Sequence, residues 1–156
     1  MEKIIDWDSI NCGPIKMVMA ILKEMPEDLK IVMLEDETGV IFNRMIDDYF
    51  SQDTKQDAAV FFGDIDIGQN GYDWLLKHRP ILVIQNIDNY LTYDWQDQFF
   101  DFYNFAYLNN MFMIVTSKKI ISHYDMQERI YSRLNRGIRL RMDAADIRKV
   151  AEYEIF

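Results

Sequence analysis

The sequence predicts an α/β protein in which a mainly parallel sheet lies between two layers of helices, a three-layer α/β/α sandwich. Short apolar runs of strand length alternate along the chain with segments whose apolar residues recur at helical spacing. Several of these runs are apolar on both faces, which is typical of parallel strands covered by helices. The 156 residues contain no repeat and no linker rich in Pro, Gly or Ser, so we expect a single domain over 1–156.

The first half of the chain contains two predicted helices around one buried strand. The helix over 14–25 begins with a proline, which is favoured at that position, and its apolar residues fall on one face. Residues 30–34 form a nearly continuous apolar run, which predicts a buried strand. A second amphipathic helix is predicted over 40–50. The short apolar run 58–62 is left undecided, and 72–77 has the length of one or two helical turns.

The second half of the chain contains three predicted strands separated by helices. Residues 80–84 are apolar on both faces and predict a central strand, and 112–115 predict another buried strand. Residues 137–142 alternate apolar side chains with arginines, as a half-exposed strand does. Helices are predicted over 94–108, which is rich in aromatic residues, over 125–135, which ends before a glycine, and over 144–153.

The charge and the cysteine count exclude several classes of protein. The net charge is −9, which argues against a protein that coats nucleic acid by electrostatics alone. The charge is uneven, because residues 1–117 carry a net −12 and residues 118–149 a net +5. The single cysteine, Cys12, allows neither an internal disulfide nor a cysteine-based zinc site. With no membrane span or signal peptide in the sequence, we expect a cytoplasmic protein.

Four segments from residue 81 onward carry a resemblance to a known family. The strand 81–84 is followed by Gln85-Asn86-Ile87-Asp88, and the helix over 94–108 contains paired aromatics and a terminal Asn at 99–104. The strand at 114–117 ends in Thr-Ser, and residues 128–137 read ERIYSRLNRG. In this order they resemble the Walker B strand, the helix after it, the sensor 1 strand and the arginine-finger helix of the AAA+ module in the bacterial replication initiator DnaA and its regulator Hda. The resemblance implies a P-loop NTPase fold.

The residues that would hold ATP in this family are altered. A working P-loop reads G-x-x-x-x-G-K-[ST] and cradles the phosphates. We expect it at 11–17, between a possible first strand and the first helix, where only Gly13 and Lys16 fit the pattern. Gln85 and Asn86 replace the two Walker B acids, and Ser117 ends the sensor 1 strand. We therefore expect a degenerate nucleotide site with no hydrolysis, no metal and no required cofactor, while weak ATP or ADP binding stays open.

The arginine-finger helix keeps its arginines. Arg129 and Arg133 are four residues apart and share one helix face. The resemblance implies that Arg133, helped by Arg129, reaches the ATP of a neighbouring subunit. The alternative is that both arginines pair with Asp125 and Glu128 on their own helix.

The resemblance implies a function in the control of replication. We expect a catalytically degenerate DnaA/Hda-like AAA+ protein that regulates bacterial DNA replication initiation through contact with an AAA+ partner such as DnaA. The alternatives are a helicase-loader-like module that contacts the replicative helicase, a nucleotide sensor with an atypical P-loop around Lys16, and a decoy that blocks assembly. Self-association stays open. The family's helical lid is expected to be missing or truncated, and no autonomous specific DNA binding is expected.

Overall fold

A computed structural model describes residues 5–24, 30–52, 58–62, 69–91, 93–119 and 128–153. Its strands are β1 Ile31–Glu35, β2 Ala59–Phe61, β3 Ile81–Ile84, β4 Met113–Ser117 and β5 Ile138–Arg141. Its helices are α1 Gly13–Glu24, α2 Ile41–Phe50, α3 Gln69–His78, α4 Tyr93–Leu108, α5 Glu128–Leu134 and α6 Ala144–Ala151. Short 3-10 turns cover Trp7–Ser9 and Ile87–Tyr90.

The five strands form one parallel sheet in the order β2-β3-β4-β1-β5. The undecided run at 58–62 contains the edge strand β2. The strand predicted as central, β3, has a neighbour on each side, although β4 lies in the middle of the sheet. Because all five strands run in the same direction, the residues that follow them gather at one carboxyl edge of the sheet.

Two hydrophobic cores lie on opposite faces of this sheet, which confirms the three-layer prediction. Successive side chains of β1 point to opposite faces of the sheet, so Val32 and Leu34 belong to one core and Ile31 and Met33 to the other. The first core contains buried residues of α1, α2 and α6, and the second contains buried residues of α3, α4 and α5. Each face of the sheet is therefore packed against helices, as the apolar runs predicted, although the edge strand β5 stays partly exposed.

Gly137 allows β5 to pair beside β1. A Cβ atom built on Gly137 would lie 1.9 Å from the backbone oxygen of Ile31, so no side chain fits between the two segments. The predicted helix over 125–135 is described from Glu128 to Leu134, and 125–127 lie outside the described residues. None of the helices in the described ranges has the length and hydrophobicity that crossing a membrane requires.

Candidate functional site

The loop between β1 and α2, residues 36–40, lies where a parallel α/β sheet can bind an anion at the beginning of a helix. The unpaired N–H groups and the dipole of a helix N-terminus favour negative charge. Here the Asp36 carboxylate occupies that position. Its Oδ2 accepts from the backbone N–H of Ile41 at 2.8 Å, and its Oδ1 accepts from the backbone N–H and the hydroxyl of Thr38 at 2.9 and 2.8 Å. The Asp36 carboxylate therefore already accepts from the N–H groups of Thr38 and Ile41 that an anion in this position would use.

The same loop is covered by a side chain from the segment after β4. Gly39 has a left-handed backbone with φ +68°, and a Cβ atom there would lie 2.5 Å from Cε of Lys118. The backbone N–H of Asp36 donates to the carbonyl of Ser117 at 2.9 Å, which joins the end of β4 to the loop. The buried hydroxyl of Ser117 donates to the carbonyl of Lys119 at 2.7 Å and is directed along its own segment.

The structure corrects the predicted position of the phosphate loop. Gly13 and Lys16 lie in the first turn of α1, and residues 5–12 ahead of them form a 3-10 turn and irregular chain, with no strand. The possible first strand expected before residues 11–17 is not found at residues 5–12, since the first strand of the described residues begins at Ile31 and is followed by the strand-to-helix loop 36–40. Lys16 Nζ donates to Asn11 Oδ1 at 3.0 Å. The sequence signal for the loop at 36–40 was the acidic stretch ending in Gly39 between a buried strand and an amphipathic helix.

Amide side chains form a closed hydrogen-bond network at the carboxyl ends of β3 and β4. Asn86 has a left-handed backbone with φ 55°, and its N–H donates to Oγ1 of Thr116 at 2.8 Å. The Thr116 hydroxyl donates to Asn43 Oδ1 at 2.7 Å, and Asn43 Nδ2 donates to Asn86 Oδ1 at 3.0 Å. These neutral groups are engaged with one another and are poor ligands for Mg²⁺. Sequence reasoning missed Asn43 and Thr116, since their role depends on three separate segments.

Gln85 points from the end of β3 to α2. Its Nε2 donates to Asp47 Oδ1 at 2.9 Å and approaches the backbone oxygen of Asn43 at 3.4 Å. Partial loss of hydration raises the pKa of the Asp47 carboxyl, the hydrogen bond from Gln85 lowers it, and the nearby charge of Asp48 raises it further. The predicted residues Gln85, Asn86 and Ser117 thus lie at the ends of the adjacent strands β3 and β4.

The arginines of α5 stack against α4. Cζ of Arg129 lies 4.0 Å and Cζ of Arg133 lies 4.6 Å from the centre of the Phe100 ring, within the range of cation–π attraction. Arg129 also pairs with Asp97, and Arg133 Nε donates to Asn104 Oδ1 at 3.0 Å. These partners lie on α4, whereas the alternative prediction placed the partners on α5 itself, and Asp125 lies outside the described residues.

A third arginine extends this surface along α4. Cζ of Arg136 lies 5.9 Å from the centre of the Tyr107 ring. We call Arg129, Arg133 and Arg136 the arginine strip. The backbone oxygen of Arg133 accepts from the hydroxyl of Tyr103 at 3.2 Å, which fixes the last turn of α5 against α4. Burial raises the pKa of the Tyr103 hydroxyl, so Tyr103 stays a neutral donor at physiological pH.

Comparison with known proteins identifies the fold but no close relative. No protein-family profile and no curated protein sequence matches the chain. A crystal structure of a DNA replication initiation factor aligns with 96% of this chain at 18% identity and a TM-score of 0.65. AMPPCP-bound DnaA from Aquifex aeolicus aligns with 98% at 16% identity and a TM-score of 0.69. Replication initiator DnaA bound to AMPPCP and single-stranded DNA aligns with 90% at 17% identity and a TM-score of 0.64.

These similarities concern half of each larger protein. The chain spans 53%, 52% and 50% of the three chains that it matches. At this identity the likeness shows the architecture and not the activity. The five-stranded parallel sheet with helices on both faces therefore has the same fold as the matching parts of these DnaA structures.

Proposed function

We propose that this chain is a catalytically degenerate AAA+ protein that regulates bacterial DNA replication initiation by contact with an AAA+ partner such as DnaA. Its own nucleotide site does no chemistry, and Arg133 of the arginine strip is offered to an ATP held by the partner. Two observations together support the proposal. The Asp36 carboxylate occupies the N–H groups after β1, and contacts with α4 orient Arg133 on α5.

The first support is electrostatic and concerns the β1–α2 loop. A nucleotide phosphate bound at the beginning of α2 would compete with the Asp36 carboxylate for the N–H groups of Thr38 and Ile41. The two negative groups would also repel each other in a site where Asp36 is only 3% exposed. In addition, Gln85 and Asn86 supply no carboxylate for Mg²⁺ or for a general base. We therefore propose that the chain neither requires a nucleotide cofactor nor hydrolyses ATP.

The second support is the geometry of Arg133. Its Nε is fixed by Asn104, and one Nη lies 3.4 Å from the backbone oxygen of Arg129. A guanidinium has five N–H donors, so in the described part of the chain three of them are not used by these two contacts. The Phe100 ring packs against the guanidinium of Arg133, with Cζ 4.6 Å from the ring centre. A pre-oriented guanidinium with unused donors suits the charge that develops on a transferring phosphoryl group.

The test measures phosphate release from ATP-loaded DnaA with and without this protein. We expect wild type to accelerate hydrolysis and Arg133→Ala to lose that acceleration, by about 100-fold or more if the arginine contacts the γ-phosphate. Arg133→Lys should also fail, because an ammonium group cannot donate in a planar fork. The matched control is Arg141→Ala, which removes an exposed arginine of β5 outside the strip.

Two results would overturn the proposal. The trans mechanism fails if Arg133→Ala stimulates DnaA as well as wild type does. The claim of a nonfunctional nucleotide site fails if isothermal titration with Mg-ATP or ADP gives submicromolar to low micromolar binding, or if the isolated chain releases phosphate from ATP.

A further inference from the structure

A cleft of about 460 Å³ opens at the carboxyl ends of β2 and β3, beside α2. Its size falls in the range of sites that bind small molecules. The ends of β2 and β3, the 3-10 turn after β3 and one side of α2 form its walls. The polar residues that line it are Asp47, Gln85, Asn86 and Asn89, and its aromatic residues include Phe62 and Tyr90.

The cleft is negative. Among the described residues that line it, Asp47 alone carries a charge. In the described parts of the chain, no Lys, Arg or His pairs with this carboxylate, which accepts only from the neutral Gln85 amide. Partial loss of hydration and the nearby negative charge of Asp48 raise the pKa of Asp47, although the hydrogen bond from Gln85 lowers it. A cation is thus favoured in the cleft, and a phosphate or another anion is disfavoured.

The neutral groups of the cleft favour a planar cation with several donors. Gln85 uses its Nε2 to donate to Asp47 and Asn43, so its carbonyl oxygen is left to accept. The exposed side chain of Asn89 makes no hydrogen bond within the described residues and offers a second amide oxygen. The Tyr90 and Phe62 rings meet edge to face at 4.9 Å and form the apolar wall. A carboxylate, amide oxygens and aromatic rings are together the groups that bind a guanidinium.

We propose that this cleft binds the side chain of an arginine presented by a partner protein. The guanidinium pairs with Asp47, donates to Gln85 and Asn89, and lies against the aromatic wall. An ammonium group would gain the same charge attraction but has no planar fork to share among several acceptors. This site is on α2 and β3, apart from the arginine strip on α4 and α5, and does not depend on the action proposed for Arg133.

The test is a nuclear magnetic resonance titration of the ¹⁵N-labelled protein with two matched peptides. Acetyl-Gly-Arg-Gly-amide is the probe, and acetyl-Gly-citrulline-Gly-amide replaces the guanidinium by a neutral urea of the same shape. We expect the arginine peptide to shift the side-chain amide signals of Gln85 and Asn89 with a Kd on the order of 1 mM, as suits one side chain. The citrulline peptide should bind about tenfold more weakly or worse, because it lacks the charge.

Variants connect the binding to the cleft. Asp47→Asn keeps an acceptor oxygen for Gln85 and should lose about tenfold or more in affinity for the arginine peptide. Asp101→Asn, the matched control on the exposed side of α4, should bind as wild type does. Asn89→Ala removes an exposed side chain that has no hydrogen-bond partner among the described residues, so it should weaken binding without affecting folding. It replaces Asp47→Asn as the test variant if Asp47→Asn is unstable.

Three results would overturn the proposal. It fails if arginine and citrulline peptides bind equally, if Asp47→Asn and Asn89→Ala both bind the arginine peptide as wild type does, or if the shifted signals lie outside the cleft. Because the titration contains neither ATP nor DnaA, its outcome is independent of the test of Arg133.

Discussion

Replacing Asp36 by alanine is expected to destabilise the protein and at the same time to create an anion site. The Asp36 carboxylate accepts from the first N–H group of α2, that of the buried Ile41. Alanine leaves this N–H without its acceptor, which costs about 1–3 kcal/mol. We therefore expect a decrease of about 1–3 kcal/mol in the free energy of unfolding, or about 4–8 °C in Tm for the middle of that range.

The assay is urea and thermal unfolding followed by circular dichroism, with Asp36→Asn as the control. Asparagine keeps one acceptor oxygen for the helix terminus and loses the charge, so it should cost about 1 kcal/mol. A decrease for Asp36→Ala below about 0.5 kcal/mol, within the range of an ordinary surface change, would refute the capping role.

Phosphate provides a second readout for the same variant. With the carboxylate removed, the beginning of α2 is free to bind an anion. A site with a Kd of about 10 mM would regain about 1.4 kcal/mol at 100 mM phosphate. Wild type measures the general effect of the salt, so the prediction concerns the excess stabilisation of Asp36→Ala. Equal stabilisation of both proteins by phosphate would show that Asp36 does not occupy an anion site.

Three further outcomes are expected. Gly137→Ala should cost about 3 kcal/mol or more or prevent folding in urea titrations, because its Cβ would lie 1.9 Å from the Ile31 oxygen. Arg139→Met withdraws the guanidinium, 3.2 Å away, from the buried carboxylate of Glu35 and should lower the unfolding free energy by about 3 kcal/mol. Backbone hydrogen bonds in the capping box of α6 lower the pKa of Asp143, so its stabilisation is present above the ordinary carboxyl pKa of 3.8 and is lost as pH falls through the lowered value. Asp143→Asn should flatten the acid limb of the unfolding curve measured against pH.

The elements that were predicted correctly are those whose signal is local. The buried run at 30–34 and the amphipathic segment at 40–50 match β1 and α2 within one residue at each end, because their apolar periodicity reflects burial directly. The run at 58–62 stayed undecided, since three residues of half-buried strand carry too little periodicity. Its assignment as β2 depends on pairing with β3, which is distant in sequence.

The candidate site was harder to predict than the fold. Residues 11–17 contain a glycine and a lysine at the beginning of a helix, which resembles the local pattern of a phosphate loop. Only the order of the elements shows that this segment begins α1, which precedes β1, whereas the helix that follows β1 is α2. The partners of Arg129 and Arg133 were equally hidden, because Phe100 and Asn104 belong to a different helix.

Composition and spacing within single segments were enough to predict the α/β class, the parallel sheet, the uneven charge and the arginines on one helix face. The packing of the elements was needed to show which loop follows the first described strand, that Asp36 accepts from the N–H groups there, and that α4 orients the arginine strip. It also brought Asp47 of α2 beside the end of β3. Such contacts join residues far apart in the chain, and only the packing of the helices on the sheet selects them.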